Sequence, residues 1–163
     1  MPRPRSLSDE TVFDALRHLL AGGEKAVSFA SVARATGLAQ ASLVQRYGSR
    51  EGMVRAAMLA AWVALEGETA KAIAATDSAH GLLKALGGEA EAGDLTLLAI
   101  DMRDPALRQR AEAWRRVVEA ALATRLRDAE AAAMLFAAWQ GQMLWRAAGG
   151  KGFRLKDAAK RLG

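Results

Sequence analysis

The sequence predicts an all-α protein, and three observations carry that prediction. Alanine is abundant beside Leu, Arg and Glu, all good helix formers. Alternating runs of β-branched and aromatic residues are scarce. Apolar residues recur instead at three- and four-residue spacing, between short capping and breaking signals. The 163 residues suit one domain, or one with a small subdomain, and 52% apolar residues are enough to bury a core. There is no Cys, which excludes a disulfide scaffold and thiolate metal sites and fits a cytoplasmic location. "MPRPRSLSDE" lacks the apolar stretch of a signal peptide. The longest near-continuous apolar run, Ala131–Trp139, is too short to span a bilayer, so no membrane partner is expected.

About nine helices follow in order. Ser8 is placed to cap the first, with Asp9 and Glu10 in the turn where the macrodipole favours anions. Val12, Phe13, Leu16, Leu19 and Leu20 make its apolar stripe, and Gly22-Gly23 ends it. Ser28 caps a second helix holding Phe29, Val32 and Ala33, and Gly37 stops it. A third runs from about Ala39 to Arg46 with Leu43 inward. Ser49 caps a longer fourth, with Val54, Met58, Ala61, Trp62 and Leu65 on one side. "HGLLKALGG" predicts a short fifth helix and "DLTLLAIDMRD" a sixth. Pro105 suits the first turn of a seventh, lined inside by Leu107, Ala111, Trp114, Val118 and Leu122. An eighth covers about Asp128–Ala148, "GGKGF" breaks the chain, and "LKDAAKRL" adds a short ninth.

The eighth helix is apolar almost all round. At 100° per residue, Met134, Ala138, Gly141 and Trp145 share one face, while Ala132, Phe136 and Met143 lie nearly opposite. One face can meet the protomer's own core. The other calls for a second partner, most simply another copy of the chain, and the small Ala138 and Gly141 allow close helix approach.

Charge is concentrated. Residues 25–55 carry Lys25, Arg34, Arg46, Arg50 and Arg55 against Glu51 alone, so +4 of the chain's +5 lies there. Such a focus is the footprint of a polyanion partner or a plain solvated face. The same segment holds two short helices joined by Thr36-Gly37-Leu38. Ala33 lets the next helix cross close over it, and Gly37 can take the left-handed conformation of a tight turn. That is a helix-turn-helix pattern, in which one helix braces the next in a major groove.

Residues 8–60 resemble the DNA-binding domain of the TetR family of bacterial transcriptional regulators. The likeness lies in "VARATGLAQASLVQRYGSREGMVRAAM": Gly37 with the aliphatic Leu38, a short recognition helix, the late aromatic Tyr47, then Gly48-Ser49-Arg50-Glu51 before a long helix. Two positions depart from the family pattern. Ala39 stands where Ser is usual, and Val44 where a phosphate-touching Tyr is usual. The resemblance implies a helix-turn-helix DNA-binding domain over residues 1–50 and a helical effector-binding and dimerisation domain over 51–163. It implies that Ser28, Arg46 and Arg50 meet phosphates, and that Gln40, Ala41, Ser42, Val44 and Gln45 face the groove. Tyr47 is a candidate hydroxyl donor to DNA, though its usual role is core packing. Arg3 and Arg5 form a basic arm able to reach along the backbone or into a minor groove. The implied partner is double-stranded DNA, a palindromic operator read by a homodimer.

For an effector, Met58, Trp62, Met102, Trp114 and Trp139 recur on inward faces, with Arg103 and His80 as the main polar candidates. This set is either plain core or the adaptable wall of a pocket for a small apolar ligand. Enzyme chemistry has no visible carrier. His18 and His80 sit in different elements, and no metal-binding pair exists, so neither metal nor cofactor is expected. "AGGKGF" lacks phosphate-loop spacing and follows a helix. The expected function is a ligand-responsive repressor released from its operator by that effector. The alternative is a dimeric ligand-binding module of the same fold without an operator.

Overall fold

A computed structural model describes residues 8–87, 102–149 and 152–162. Among these residues there are eight α-helices and no strand: α1 (Asp9–Ala21), α2 (Phe29–Thr36), α3 (Gln40–Tyr47), α4 (Arg50–Ala75), α5 (Ala79–Leu86), α6 (Pro105–Leu126), α7 (Ala129–Trp145) and α8 (Leu155–Leu162). The expected seventh, eighth and ninth helices are α6, α7 and α8. The expected sixth falls on residues 94–104, mostly outside the described set; its end, Met102 and Arg103, is helical. Two 3₁₀ turns, Glu24–Ala26 and Arg146–Ala148, were not expected, and the second replaces the last turn foreseen for the eighth helix.

Most helix starts are fixed by side-chain caps. Ser28 accepts from the Ser31 N–H at 3.0 Å while its own N–H donates to the Ser31 hydroxyl at 2.8 Å, a reciprocal capping box. Ser49 accepts from Gly52, Ser78 from Gly81, Asp104 from Ala106 and Leu107, and Asp128 from Glu130 and Ala131. Ser8 stands at the start of α1 but makes no such bond; its hydroxyl pairs with that of Thr11 instead.

Helices α1–α3 close around Val12, Leu16, Leu20, Val27, Val32 and Leu43, and this cluster continues into α4 through Met53, Val54, Ala57 and Met58. Gly37 adopts φ 74° and donates its N–H to the Ala33 carbonyl at 2.8 Å, which stops α2 and turns the chain into α3. A second cluster joins α5 (Leu82, Leu83), α6 (Val118, Leu122), α7 (Ala132, Leu135, Phe136, Trp139) and α8 (Ala159).

Helix α4 links the two clusters, and α6 lies beside it in parallel. Arg55 Nε donates to Asp104 Oδ2 at 2.6 Å. Arg110 donates to both carboxylate oxygens of Glu66, at 2.6 and 2.7 Å. That bidentate pair holds the Glu66 carboxyl below its ordinary pKa. Trp114 Nε1 donates to Thr69 Oγ1 at 2.8 Å. Arg125 donates to the carbonyls of Ile73 and Thr76, at 2.8 and 2.6 Å, near the end of α4. Rings continue the contact sideways: Trp62, Trp114, Phe136 and Trp139 form a chain with centroid separations of 5.9, 5.9 and 5.8 Å.

The turn from α3 to α4 depends on a close backbone approach. A Cβ at Gly52 would collide with the Tyr47 carbonyl oxygen, and a carbonyl cannot rotate aside. Gly52→Ala should destabilise the protein by about 1–3 kcal/mol, the usual cost of overpacking, read as a lower urea midpoint at unchanged slope.

Candidate nucleic-acid interface

Helix α3 is held by one buried side chain, Leu43, which is fully inaccessible. Because an eight-residue helix anchored on a single position turns the rest outward, Gln40, Ala41, Ser42, Val44 and Gln45 are all exposed. Val44 is 42% exposed, unusual for an aliphatic residue beside a core. Ala39 supplies no side-chain cap, so the first-turn N–H groups of α3 have no side-chain acceptor there. Arg3 and Arg5 lie outside the described residues.

The other expected phosphate partners are tied into the head. Arg50 Nε donates to the Val27 carbonyl at 2.9 Å, and its NH2 donates to the Glu24 carbonyl at 2.6 Å. The side chain therefore clamps the 3₁₀ turn between α1 and α2. Arg46 and Tyr47 both reach Asp9 at the start of α1, at 3.2 and 2.5 Å. Tyr47 also packs on Phe13, with ring centroids 6.2 Å apart. Burial first, then the bond to Asp9, push the phenol up to about 12, against the opposing pull of Arg46. The Ser28 hydroxyl serves the α2 cap and remains exposed.

The expected effector residues are spread over the two cores and the surface. Met58, Trp62 and Trp139 are buried and Trp114 is half-buried, and their contacts are with one another and the two cores. His80 is half-buried on α5. Met102 is 45% exposed, and Arg103 pairs with Glu24 on the outside. The face of α7 that angular spacing assigns to a partner is open: Met134 is 54% and Trp145 72% exposed, Ala138 is exposed and Gly141 half-exposed. Val117 of α6, also exposed, adds to the apolar surface of this helix pair.

No protein-family model and no curated protein matches the chain. Solved structures do. A TetR family member from Streptomyces coelicolor A3 is similar over 94% of both chains, with 25% identity and a TM-score of 0.69. The TetR family transcriptional regulator PfmR from Thermus thermophilus is similar over 93% of this chain and 94% of its own, at 21% identity and TM-score 0.63. The multidrug binding protein EbrR, solved with imidazole, is similar over 99% of this chain and 95% of its own, at 21% identity and TM-score 0.64. The chain has the fold of the TetR family.

In this TetR-family fold the head and the helices behind it meet at a cleft of about 400 Å³ floored by Leu20, Val54 and Leu107. Its rim is crossed by the Arg55–Asp104 pair and by Arg103 on Glu24, so the head is fastened to the start of α6. The sequence does not reveal these partners. Asp9 and Asp104 carry a signal, since each stands at a helix start, but a capping position says nothing of a second partner on a distant helix.

Tyr47 is the only tyrosine of the chain, so its ionisation can be followed alone by ultraviolet difference absorbance. The midpoint should lie near 12 and fall when Asp9 is changed to Asn. Because the folded pKa is raised, the native state keeps its proton longer than the unfolded chain. The associated stability should be fully present below about pH 10 and be lost as pH rises through the folded value.

Proposed function

We propose that the chain is a homodimeric, ligand-responsive transcriptional regulator: a repressor whose α3 reads operator DNA and whose grip is released by a small effector. The observation that supports this reading best is α3 itself, anchored by buried Leu43 with two Gln, a Ser and a bare aliphatic side chain turned outward. Gln suits adenine through a paired donor and acceptor, and Val44 suits a thymine methyl. The open α7 face gives the dimer a surface, and two copies must place their α3 helices about 34–36 Å apart, one turn of DNA. A fold neighbour described as a multidrug binding protein supports the ligand. Effector action on the operator would run through α4, whose bonds to α6 leave it little freedom to move alone. In this reading Arg50 acts mainly as a clamp on the head, and Arg3 and Arg5 carry more of the phosphate contact.

DNA fragments selected by the purified protein from a random pool test the reading. Enrichment of a palindromic sequence is expected, and equal binding of selected and random DNA at moderate salt would sink it. Gln45→Ala should relax preference at particular bases by about 1–3 kcal/mol without changing the salt dependence.

Dimerisation is tested separately. Nothing described lies within 4 Å of a Cβ built at Gly141, so a side chain there leaves the protomer intact. Gly141→Glu should place a charge in the helix contact and shift sedimentation from dimer to monomer at micromolar concentration. A wild-type monomer under those conditions would contradict the assembly.

A further inference from the structure

Two donors at the end of α3 converge on one oxygen of α1. Arg46 Nη1 and Tyr47 Oη both donate to Asp9 Oδ1, at 3.2 and 2.5 Å. An anionic oxygen held between a guanidinium and a hydroxyl is the arrangement that suits a DNA phosphate. Here the anion comes from the chain itself, from the first residue of α1.

The contact stands at the edge of the surface that α3 turns outward. Arg46 follows Gln45 directly, and both are exposed. The side chains of the pair keep 31% (Arg46) and 59% (Asp9) of their accessibility. An ion pair so open to water contributes little to folding, and α1 and α3 are joined by other means. Tyr47 packs its ring on Phe13, and Leu43 belongs to the same buried cluster as Val12 and Leu16. Asp9 is also not alone in opposing the α1 macrodipole, because Glu10 lies in the same turn. What the Asp9 carboxylate does alter is charge: it sets a negative group against the positive one of Arg46, beside the outward residues of α3. The guanidinium lies over the Tyr47 ring as well, 6.0 Å from its centroid, so its place does not depend on Asp9 alone.

We propose that Asp9 limits the affinity of the chain for DNA: its carboxylate occupies the place of a DNA phosphate between Arg46 and Tyr47, and the Asp9–Arg46 pair meets DNA as a neutral unit. The inference rests on the reading of α3 as the helix that contacts DNA, and it adds what sets the strength of the grip. Phosphate contacts carry no sequence information. Asp9 therefore lowers binding to every sequence alike and leaves base preference to Gln40, Ser42, Val44 and Gln45.

The test titrates the full chain and its Asp9→Asn variant into fluorescent duplex DNA, of random and of selected sequence, over a series of salt concentrations. Asp9→Asn should bind both duplexes about three- to tenfold more tightly at low salt, and log affinity should fall with log salt more steeply by about one unit, the value of one added phosphate contact. The ratio of the two affinities should not change. Glu10→Gln removes the same charge one residue further on and should leave the slope as it is. Adding Arg46→Gln should erase the gain from Asp9→Asn. Because Asp9 is exposed, Asp9→Ala can repeat the measurement should the Asn variant fold poorly. A gain that persists beside Arg46→Gln would make Asp9 one surface charge among several and overturn the proposal. So would Asp9→Asn binding no better than wild type while wild type still prefers the selected duplex, an outcome that leaves the regulator reading standing. Equal binding of both duplexes with the Asp9→Asn gain intact would remove the regulator reading and keep this one. No binding of either duplex by either protein at low salt would overturn both.

Discussion

The seam between α4 and α6 sets the frame for everything else in the molecule. It is made of polar bonds set into an apolar contact: Glu66 with Arg110, Thr69 with Trp114, and Arg125 with the last carbonyls of α4. Thr69 is 1% exposed, so its hydroxyl cannot turn to water if Trp114 moves away. Hydrophobic contact alone tolerates sliding, because one methyl packs much like another. A buried donor without its acceptor costs about 1–3 kcal/mol, and the Thr69–Trp114 bond is the one at which that cost falls. The seam therefore makes α4 and α6 move as one body. Since α4 also contributes Met53, Val54, Ala57 and Met58 to the head's core, the head follows that body.

Much of this architecture was legible in the chain. Ser28 and Ser49 marked helix starts, because a short polar side chain before an apolar-periodic run has few other uses, and Pro105 marked the start of α6; the cap that Asp104 supplies there was not read from the sequence. The two unlike faces of α7 followed from angular spacing alone, and burial divides Ala132 and Phe136 from Met134 and Trp145 as that spacing requires. Periodicity works here because it depends only on neighbours in sequence. It could not have found the 3₁₀ turn at Glu24–Ala26, which Arg50 holds by its carbonyls from a different helix.

The candidate site divides in the same way. That Gln40 to Gln45 lie outward around Leu43 was readable from the spacing of one short helix. The state of the cations was not. A count of charge along residues 25–55 treats every arginine alike, whereas folding commits Arg50 to backbone carbonyls and Arg55 to Asp104. Composition gives how much positive charge a surface starts with; tertiary partners decide how much remains on offer. The aromatic residues teach the complementary lesson. Trp62, Trp114 and Trp139 share inward faces, as a pocket wall would, and with Phe136 they stand in a continuous chain of tilted and edge-on contacts that spacing alone does not reveal.

The parallel course of α4 and α6 has an electrostatic side. Two helices lying in the same direction bring like dipole ends together, positive beside positive at the start and negative beside negative at the finish. Each end carries the charge that relieves this. The Asp104 carboxylate sits at the first turn of α6, and the Arg125 guanidinium lies over the carbonyls that close α4. These same two residues bridge the helices. A slip of one turn in either direction would carry Arg125 off the end of α4 and break the Arg55–Asp104 bond at once, so the pair is keyed for direction as well as for position.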